Sequence, residues 1–186
     1  MRIIRLADCP EVPWRNGAGT TRELLLEPDL RVTVAYERSG AAFSDFSGWS
    51  RTIVPLGAGF SLRLGERGEH AIPAFQAFAF AGAERARASL AAGPIEALNI
   101  MTRDGALAHR VVPFPHAPSP EAPLHSMLCF LARGALRLAG AALEAGTLAL
   151  AEDAADREEL ARASASLPPE AILLAFQIER PSSIRS

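Results

Sequence analysis

The segment from Pro13 to Glu23, PWRNGAGTTRE, combines residue types that could bind an anion. Gly17 and Gly19 allow backbone conformations that other residues avoid, and Asn16 tolerates left-handed geometry, so the segment predicts a shaped loop. Its backbone N–H groups could bind an anion beside an apolar wall from Trp14, with the two threonine hydroxyls as further donors. The alternative, which these residue types favour when taken alone, is a structural turn packed by Trp14. The segment lacks a lysine and the P-loop spacing, so it does not predict a phosphate loop.

A second segment, Phe43 to Arg51, reads FSDFSGWSR and predicts a rigid aromatic corner around Gly48. Arg51 begins an apolar strand directly after these aromatic residues. If Arg51 points into a cavity, its guanidinium can hold a carboxylate through two parallel hydrogen bonds. If Arg51 points outward, it is solvated, and for an arginine taken by itself we favour this second interpretation.

A third segment, Gly93 to Met101, reads GPIEALNIM and places one amide between apolar neighbours on a strand. Asn99 needs hydrogen-bond partners if it faces inward, and those partners come either from the protein or from a ligand. Met101 shares the face of Asn99 because side chains alternate along a strand. It either lines a pocket or packs in a core.

The residues that commonly bind metals or perform catalysis show no recognisable pattern. The four histidines do not occur at metal-ligand spacing, so the sequence predicts neither a metal site nor another cofactor. They are His70, His109, His116 and His125. The chain lacks a G-x-S-x-G motif, and all 19 of its cationic side chains are arginine, which excludes lysine nucleophiles. We therefore assign no catalytic residue.

The composition bounds the partners and the location of the protein. The chain has 186 residues and a formal net charge of -2, and its arginines are scattered among carboxylates, which argues against nucleic acid as a partner. No apolar run approaches the roughly 18 to 20 residues that span a membrane, and no signal-peptide apolar region precedes Cys9. Cys9 and Cys129 are far apart in sequence, so we expect reduced thiols, a cytoplasmic location and no membrane association.

Short runs of alternating apolar and polar residues predict that these segments lie on β-strands. Examples are LRVTVAY at 30–36, FSLRL at 60–64, QAFAF at 76–80 and RGALRL at 133–138. About a dozen such runs follow one another, as in antiparallel β-barrels and sandwiches. Helix-forming residues predict one helical turn at Glu152 to Ala163, whereas the alternating ARASAS at 161–166 predicts a further strand. The predicted fold is all-β with little helix.

Two parts of the chain, 56–101 and 128–178, have the same order of strands, glycine turns and hairpins, which predicts an internal duplication of one β unit. The Pro-rich PFPHAPSPEAP between them favours an extended connection. We therefore predict a first half at 1–112 that contains a ligand pocket, a connection at 113–123, and a second half at 124–186 packed on the first.

Four motifs together resemble, in order and spacing, the HutD/Ves family of bacterial proteins. They are PWRNGAGTTRE, FSDFSGWSR, LGAGFSLRL and GPIEALNIM. The resemblance extends from the N-terminus to about Arg103, and the second half is similar mainly in its β pattern. It implies a duplicated cupin-like (bicupin) antiparallel β-barrel. It also implies a link to histidine utilisation, in which such proteins resemble regulators that sense a pathway metabolite.

The resemblance further implies a ligand site in the first half, in which Arg51 projects into the barrel and pairs with a ligand carboxylate. The predicted ligand-binding residues are Trp14, Asn16, Thr20, Thr21, Glu23, Phe43, Ser44, Phe46, Arg51, Asn99 and Met101. Two positions depart from the family pattern: Ala18 stands where a glycine is usual and Ala97 where an aspartate is usual. Glu96 does not replace that aspartate, because adjacent residues of a strand face opposite sides.

The leading functional prediction is a small-molecule-binding regulatory protein without catalysis that senses a small carboxylate of histidine catabolism, of the urocanate or formylglutamate class. The strongest alternative is a metal-independent cupin-like isomerase or hydrolase that acts on a small acid with Glu23 or a histidine as general base. A third is an interaction or storage module whose repeat builds a dimer surface. The partners expected are a small carboxylic acid and a second copy of the chain in a homodimer.

Overall fold

The computed structural model describes residues 1–14, 17–89, 93–113, 127–138 and 140–181. These residues form sixteen strands and one α-helix, so the prediction of a mostly β fold with antiparallel sheets is confirmed. In chain order the strands are β1 (Arg2–Arg5), β2 (Glu11–Pro13), β3 (Gly19–Glu27), β4 (Leu30–Glu37), β5 (Trp49–Pro55), β6 (Phe60–Leu64), β7 (Gly68–Ile72), β8 (Phe78–Ala81), β9 (Ala86–Ser89), β10 (Ile95–Arg103), β11 (Ala108–Pro113), β12 (Met127–Arg133), β13 (Ala135–Leu138), β14 (Ala141–Glu144), β15 (Thr147–Leu150) and β16 (Ile172–Glu179). The helix is α1 (Ala154–Ala165).

The chain divides into two compact units, which we call the N-terminal and the C-terminal unit. The N-terminal unit contains Cys9–Ala108, and the C-terminal unit contains Met1–Asp8 together with His109–Arg180. The first eight residues belong with the later part of the chain because β1 pairs antiparallel with β15, whereas the predicted first half at 1–112 includes them. Most of the predicted connection, residues 114–123, lies outside the described residues.

The N-terminal unit is built from a six-stranded and a three-stranded antiparallel sheet. The order of the larger sheet is β2-β3-β4-β10-β5-β8, and that of the smaller is β7-β6-β9. Alternation along β6 buries Phe60, Leu62 and Leu64. These residues form one core cluster with Ile53 and Phe80 of the larger sheet. The two sheets therefore enclose an apolar interior, because each turns an alternating apolar face towards it.

The C-terminal unit contains a five-stranded sheet of order β1-β15-β12-β16-β11 and the β13-β14 hairpin. Its central connectivity parallels that of the N-terminal unit. β12 pairs with β15 and β16 and is followed by a hairpin, just as β5 pairs with β8 and β10 and is followed by the β6-β7 hairpin. That the two units are two cupin barrels stays a prediction.

Helix α1 replaces the strand that the alternating ARASAS predicts, so that prediction is wrong. Asp153 accepts a hydrogen bond from the N–H of Asp156 at 2.8 Å and thereby caps the helix. The buried residues are Leu160, Ala163 and Ser164, which have a helical spacing of three and four. Leu160 and Ala163 pack in the core of the C-terminal unit. Within the described part of the chain, no helix has the length and apolar character needed to cross a membrane.

We expect the stability of the protein to fall in mild acid because of His109, on β11. Burial lowers the pKa of this imidazole from 6.5 to about 4. Between pH 4 and pH 6.5 the unfolded chain therefore binds more protons at this histidine than the folded chain does. The stability associated with the neutral imidazole is fully present above pH 6.5 and is lost as the pH falls towards 4. Urea unfolding measures this effect. Between pH 7.5 and pH 4.5 the free energy of unfolding of His109→Gln should decrease by about 2 kcal/mol less than that of the wild type. Equal losses would contradict this role for His109.

Candidate functional site

A cavity of about 210 Å³ lies within the N-terminal unit. This volume is below the roughly 300–1,000 Å³ of pockets that hold drug-sized ligands, so the cavity suits a smaller molecule. Its walls come from β2, β3, β4, β5 and β10, together with the Trp14 side chain and the segment that precedes β5. The lining residues are Val12, Pro13, Trp14, Thr21, Glu23, Arg31, Thr33, Ala35, Glu37, Phe43, Ser44, Phe46, Arg51, Ile53, Ile95, Ala97, Asn99 and Met101.

The register of the six-stranded sheet arranges these side chains in rows across the strands. Asn99 on β10 lies between Thr33 on β4 and Ile53 on β5. One row further along, Met101 lies beside Arg51. Because side chains alternate along a strand, residues 95, 97, 99 and 101 all face the cavity. A single strand thus contributes one wall from end to end.

Arg51 points into the cavity and is only 5% exposed, so the solvated interpretation of this residue is wrong. Its Nη2 donates to Oδ1 of Asn99 at 3.1 Å, and its Nη1 donates to the carbonyl oxygen of Ser44 at 3.5 Å. Its Nε, which is also buried, has no hydrogen-bond partner. Among the described residues, no carboxylate forms an ion pair with this guanidinium. Arg51 therefore retains N–H donors that the protein does not use.

Three aromatic rings surround the Arg51 guanidinium. Its Cζ lies 5.5 Å from the ring centre of Phe43, 5.1 Å from that of Phe46 and 4.9 Å from that of Phe80. The ring faces attract the cation and hold it in place. Burial lowers the pKa of Arg51 from 12.5 to about 10, which leaves the side chain charged at neutral pH. The arrangement can bind a carboxylate in a setting from which water is largely excluded.

The backbone before β5 positions two of these rings. Phe46 donates its N–H to Gly82 and accepts from the N–H of Trp49, both at 3.0 Å. Oδ1 of Asp45 accepts from the N–H and the hydroxyl of Ser47, and these bonds lower the pKa of the Asp45 carboxyl. The segment is thus a hydrogen-bonded corner. Trp49 is not among the lining residues of the cavity.

The first motif contributes a wall to the cavity. The indole Nε1 of Trp14 donates to Oγ1 of Thr21 at 2.6 Å, which fixes the ring against the cavity. The N–H groups of Trp14 and Gly17 close the loop by donating to the carbonyl oxygens of Gly19 and Trp14. These two N–H groups are therefore not available to an anion. Gly17 has a φ of 67°, the left-handed conformation that its glycine predicts.

Nine of the eleven predicted site residues line this one cavity. They are Trp14, Thr21, Glu23, Phe43, Ser44, Phe46, Arg51, Asn99 and Met101. Thr20 differs from the prediction and does not line the cavity, because it alternates with Thr21 along β3. Asn16 lies outside the described residues. Ser44 accepts a hydrogen bond from Arg51 through its backbone carbonyl oxygen.

Sequence reasoning missed the polar residues that β4 contributes, which are Arg31, Thr33 and Glu37. Arg31 forms an ion pair with Glu23 at 3.6 Å, and its Cζ lies 5.6 Å from the ring centre of Phe46. Glu37 is 2% exposed. The signal in the sequence was their spacing of two and four residues, which places all three on one face of the strand.

The departure of residue 97 from the family pattern falls within the cavity. Ala97 lies between Ala35 on β4 and Pro55 on β5, so the usual aspartate at this position would add a carboxylate to the wall. Glu96 is not among the lining residues and lies beside Tyr36. Burial, followed by the charge of Glu96, raises the pKa of Tyr36 to about 12. The prediction that Glu96 faces away from the site is confirmed.

Among the described residues that line the cavity, two carry a carboxylate, Glu23 and Glu37, and none is a histidine or a cysteine. No group of three or more His, Cys, Asp or Glu residues that could hold a metal ion occurs in the parts of the chain that the structure describes. The chemistry that the described residues offer is therefore polar recognition by one buried cation, one buried carboxylate and an amide, between apolar walls.

Two curated relatives are similar to the chain over part of their length. Protein Ves of Citrobacter koseri is 37% identical over 111 residues, which are 55% of this chain and 58% of that protein. The uncharacterized 21.2 kDa protein in the hutC 3′ region of Pseudomonas putida is 29% identical over 109 residues, which are 54% of this chain and 57% of that protein. The chain thus spans somewhat more than half the length of the curated relatives it matches.

Solved structures are similar over nearly the whole chain. HutD from Pseudomonas fluorescens SBW25 has a TM-score of 0.75 at 20% identity, over 97% of this chain and 99% of that one. A conserved protein of unknown function from Pseudomonas aeruginosa PAO1 has a TM-score of 0.73 at 24% identity, over 96% and 98%. A cupin 2 conserved barrel domain protein from Leptotrichia buccalis has a TM-score of 0.52 at 9% identity, over 87% and 89%. The predicted cupin-like fold is confirmed.

A model of the HutD family matches residues 6–171. This match includes the four motifs that carry the resemblance and extends through most of the C-terminal unit. The protein therefore belongs to the HutD family.

Proposed function

We propose that the protein is a cytoplasmic regulatory protein that senses a small carboxylic acid of histidine catabolism, of the urocanate or formylglutamate class, in the cavity of the N-terminal unit. The observation that carries the proposal is Arg51, a buried cation that no described carboxylate neutralises and that keeps unused N–H donors. A carboxylate would accept two parallel hydrogen bonds from such a guanidinium. The P. putida relative, named for its place beside hutC, supports the link to histidine utilisation.

The charged groups of the cavity favour binding over acid–base catalysis. In the enzyme alternative Glu23 serves as general base, but this carboxylate forms an ion pair with Arg31 at 3.6 Å. The charge of this carboxylate is thus already balanced by the Arg31 guanidinium. Glu23 and Arg31 are each about one third exposed, so the pair stands where a ligand enters from solvent. We assign it to the entrance of the site.

A thermal-shift screen of the full chain with urocanate, formylglutamate, histidine and unrelated small acids tests the proposal. A carboxylate that binds the folded protein at about 100 times its Kd should stabilise it by about 2.7 kcal/mol. Mass spectrometry of the recovered ligand should show it unchanged. The absence of any melting shift with these acids would contradict the proposed function, and a converted ligand would favour the enzyme.

A further inference from the structure

Glu37 is a second buried charged residue of the cavity, at the opposite end from Arg51. It is 2% exposed. Its Oε1 accepts hydrogen bonds from the N–H groups of Ser39 and Gly40, at 2.8 and 3.0 Å, and from the Ser39 hydroxyl at 3.3 Å. Its Oε2 is buried without a hydrogen-bond partner. The residues that follow β4 thus orient the carboxylate through Oε1, while Oε2 remains able to accept a hydrogen bond.

The charged residues of the cavity lining fall into two kinds. Glu23 and Arg31 are partly exposed and pair with each other. Glu37 and Arg51 are both at least 95% buried, and neither forms an ion pair with a described residue. Burial of an unpaired charge is unfavourable unless a partner restores the lost hydration. The cavity therefore has two groups of opposite sign that a ligand can complement.

The strand register gives the separation of these two groups. Arg51 reaches the level of Asn99, to which it donates, and Glu37 lies beside Ile95, four residues earlier on β10. At about 3.4 Å per residue the two levels are about 14 Å apart along the strand. The side chains and their hydrogen bonds occupy part of this distance. A short chain of a few carbon atoms fits between the two ends.

We propose that the ligand is amphoteric, with a carboxylate that binds Arg51 and, at its other end, a nitrogen that donates to Oε2 of Glu37, an ammonium being preferred. This inference rests on the proposed function and narrows its ligand class. An acid with a basic or N–H-bearing group at the far end matches the polarity of the cavity. A dicarboxylate does not, because its second carboxylate faces Glu37. Within the two metabolite classes named above, an acid that bears an imidazole is thus favoured over a diacid.

The test uses three acids that share a five-carbon chain and differ in charge at the far end: 5-aminopentanoate, pentanoate and glutarate. Isothermal titration calorimetry with the full wild-type chain should rank them in that order. A charge-assisted hydrogen bond to Glu37 should give 5-aminopentanoate an affinity about 10- to 100-fold above that of pentanoate. In Glu37→Gln this preference should disappear, so that 5-aminopentanoate and pentanoate bind with similar affinity. Glu69→Gln, which changes an exposed carboxylate on β7, should retain the wild-type ranking.

The outcomes separate this inference from the function on which it rests. If pentanoate binds the wild type and 5-aminopentanoate binds no better, the proposal of an amphoteric ligand is wrong. The carboxylate site at Arg51 is then retained. A preference that survives in Glu37→Gln would also overturn the assignment to Glu37. If none of the three acids binds, the carboxylate site fails and the inference fails with it. Should Glu37→Gln not fold, as judged by circular dichroism, the wild-type ranking decides alone.

Discussion

Replacing Arg51 by methionine is expected to abolish binding of small carboxylates while the free protein stays folded and about as stable as the wild type. Loss of a buried, bidentate hydrogen-bonded cation should weaken binding at least about 100-fold. In the free protein, burial lowers the pKa of Arg51 from 12.5 to about 10, which corresponds to a penalty on the order of 3 kcal/mol for holding the charge. Methionine removes this penalty, which offsets the lost ring contacts and the lost bond to Asn99.

Calorimetric titration and urea unfolding at pH 7 measure both parts of this result. The matched control is Arg63→Met, on β6, where the side chain is 71% exposed and pairs with Glu69; its affinity and stability should both remain near the wild type. A decrease of 3 kcal/mol or more in the free energy of unfolding of Arg51→Met would assign Arg51 a structural role. An unchanged affinity would refute the carboxylate site.

Gly19→Ala is expected to destabilise the protein by about 3 kcal/mol and to weaken ligand binding. A Cβ at Gly19 would lie 2.2 Å from the carbonyl oxygen of Tyr36 and 3.3 Å from Cα of Glu37. Both atoms belong to the backbone of β4, so β3 and β4 must separate where Gly19 pairs with Glu37. The change therefore disturbs the sheet and also the end of the cavity that contains Glu37.

Gly57→Ala is the control for this substitution, because nothing lies within 4 Å of a Cβ placed there. Its free energy of unfolding should change by less than about 0.5 kcal/mol. The midpoints of urea unfolding of the two variants give the comparison, and the affinity for 5-aminopentanoate follows from titration of the folded fraction. A stability of Gly19→Ala equal to that of Gly57→Ala would show that the β3-β4 approach relaxes without strain.

The strands were predictable where one face is apolar and the other polar. FSLRL meets this condition and forms β6 with the predicted bounds. ARASAS does not, because alanine, serine and arginine alternate weakly and alanine and arginine also favour helices. At that position the packing of Leu160 in the core decided the outcome. Sequence alternation therefore predicted a strand only where it also specified which side chains are buried.

The site was predictable in its first and last motifs and less so between them. Alternation places Asn99 and Met101 on one face of a strand, but it does not say whether that face is inward, so the direction of Arg51 came from the family resemblance alone. Glu37 was missed for a different reason. It stands at the end of a strand, where a charged residue usually meets solvent, and only the fold shows that a loop covers it.

The burial of Arg51 also bears on the conditions under which the protein can act. Mobile ions screen charges that solvent reaches, with a Debye length of about 8 Å at physiological ionic strength, and they act much less on buried groups. A cation enclosed by three phenylalanine rings attracts its ligand largely independently of the surrounding salt. For the sensor that we propose, we therefore expect a response that follows the concentration of the ligand and changes little with ionic strength.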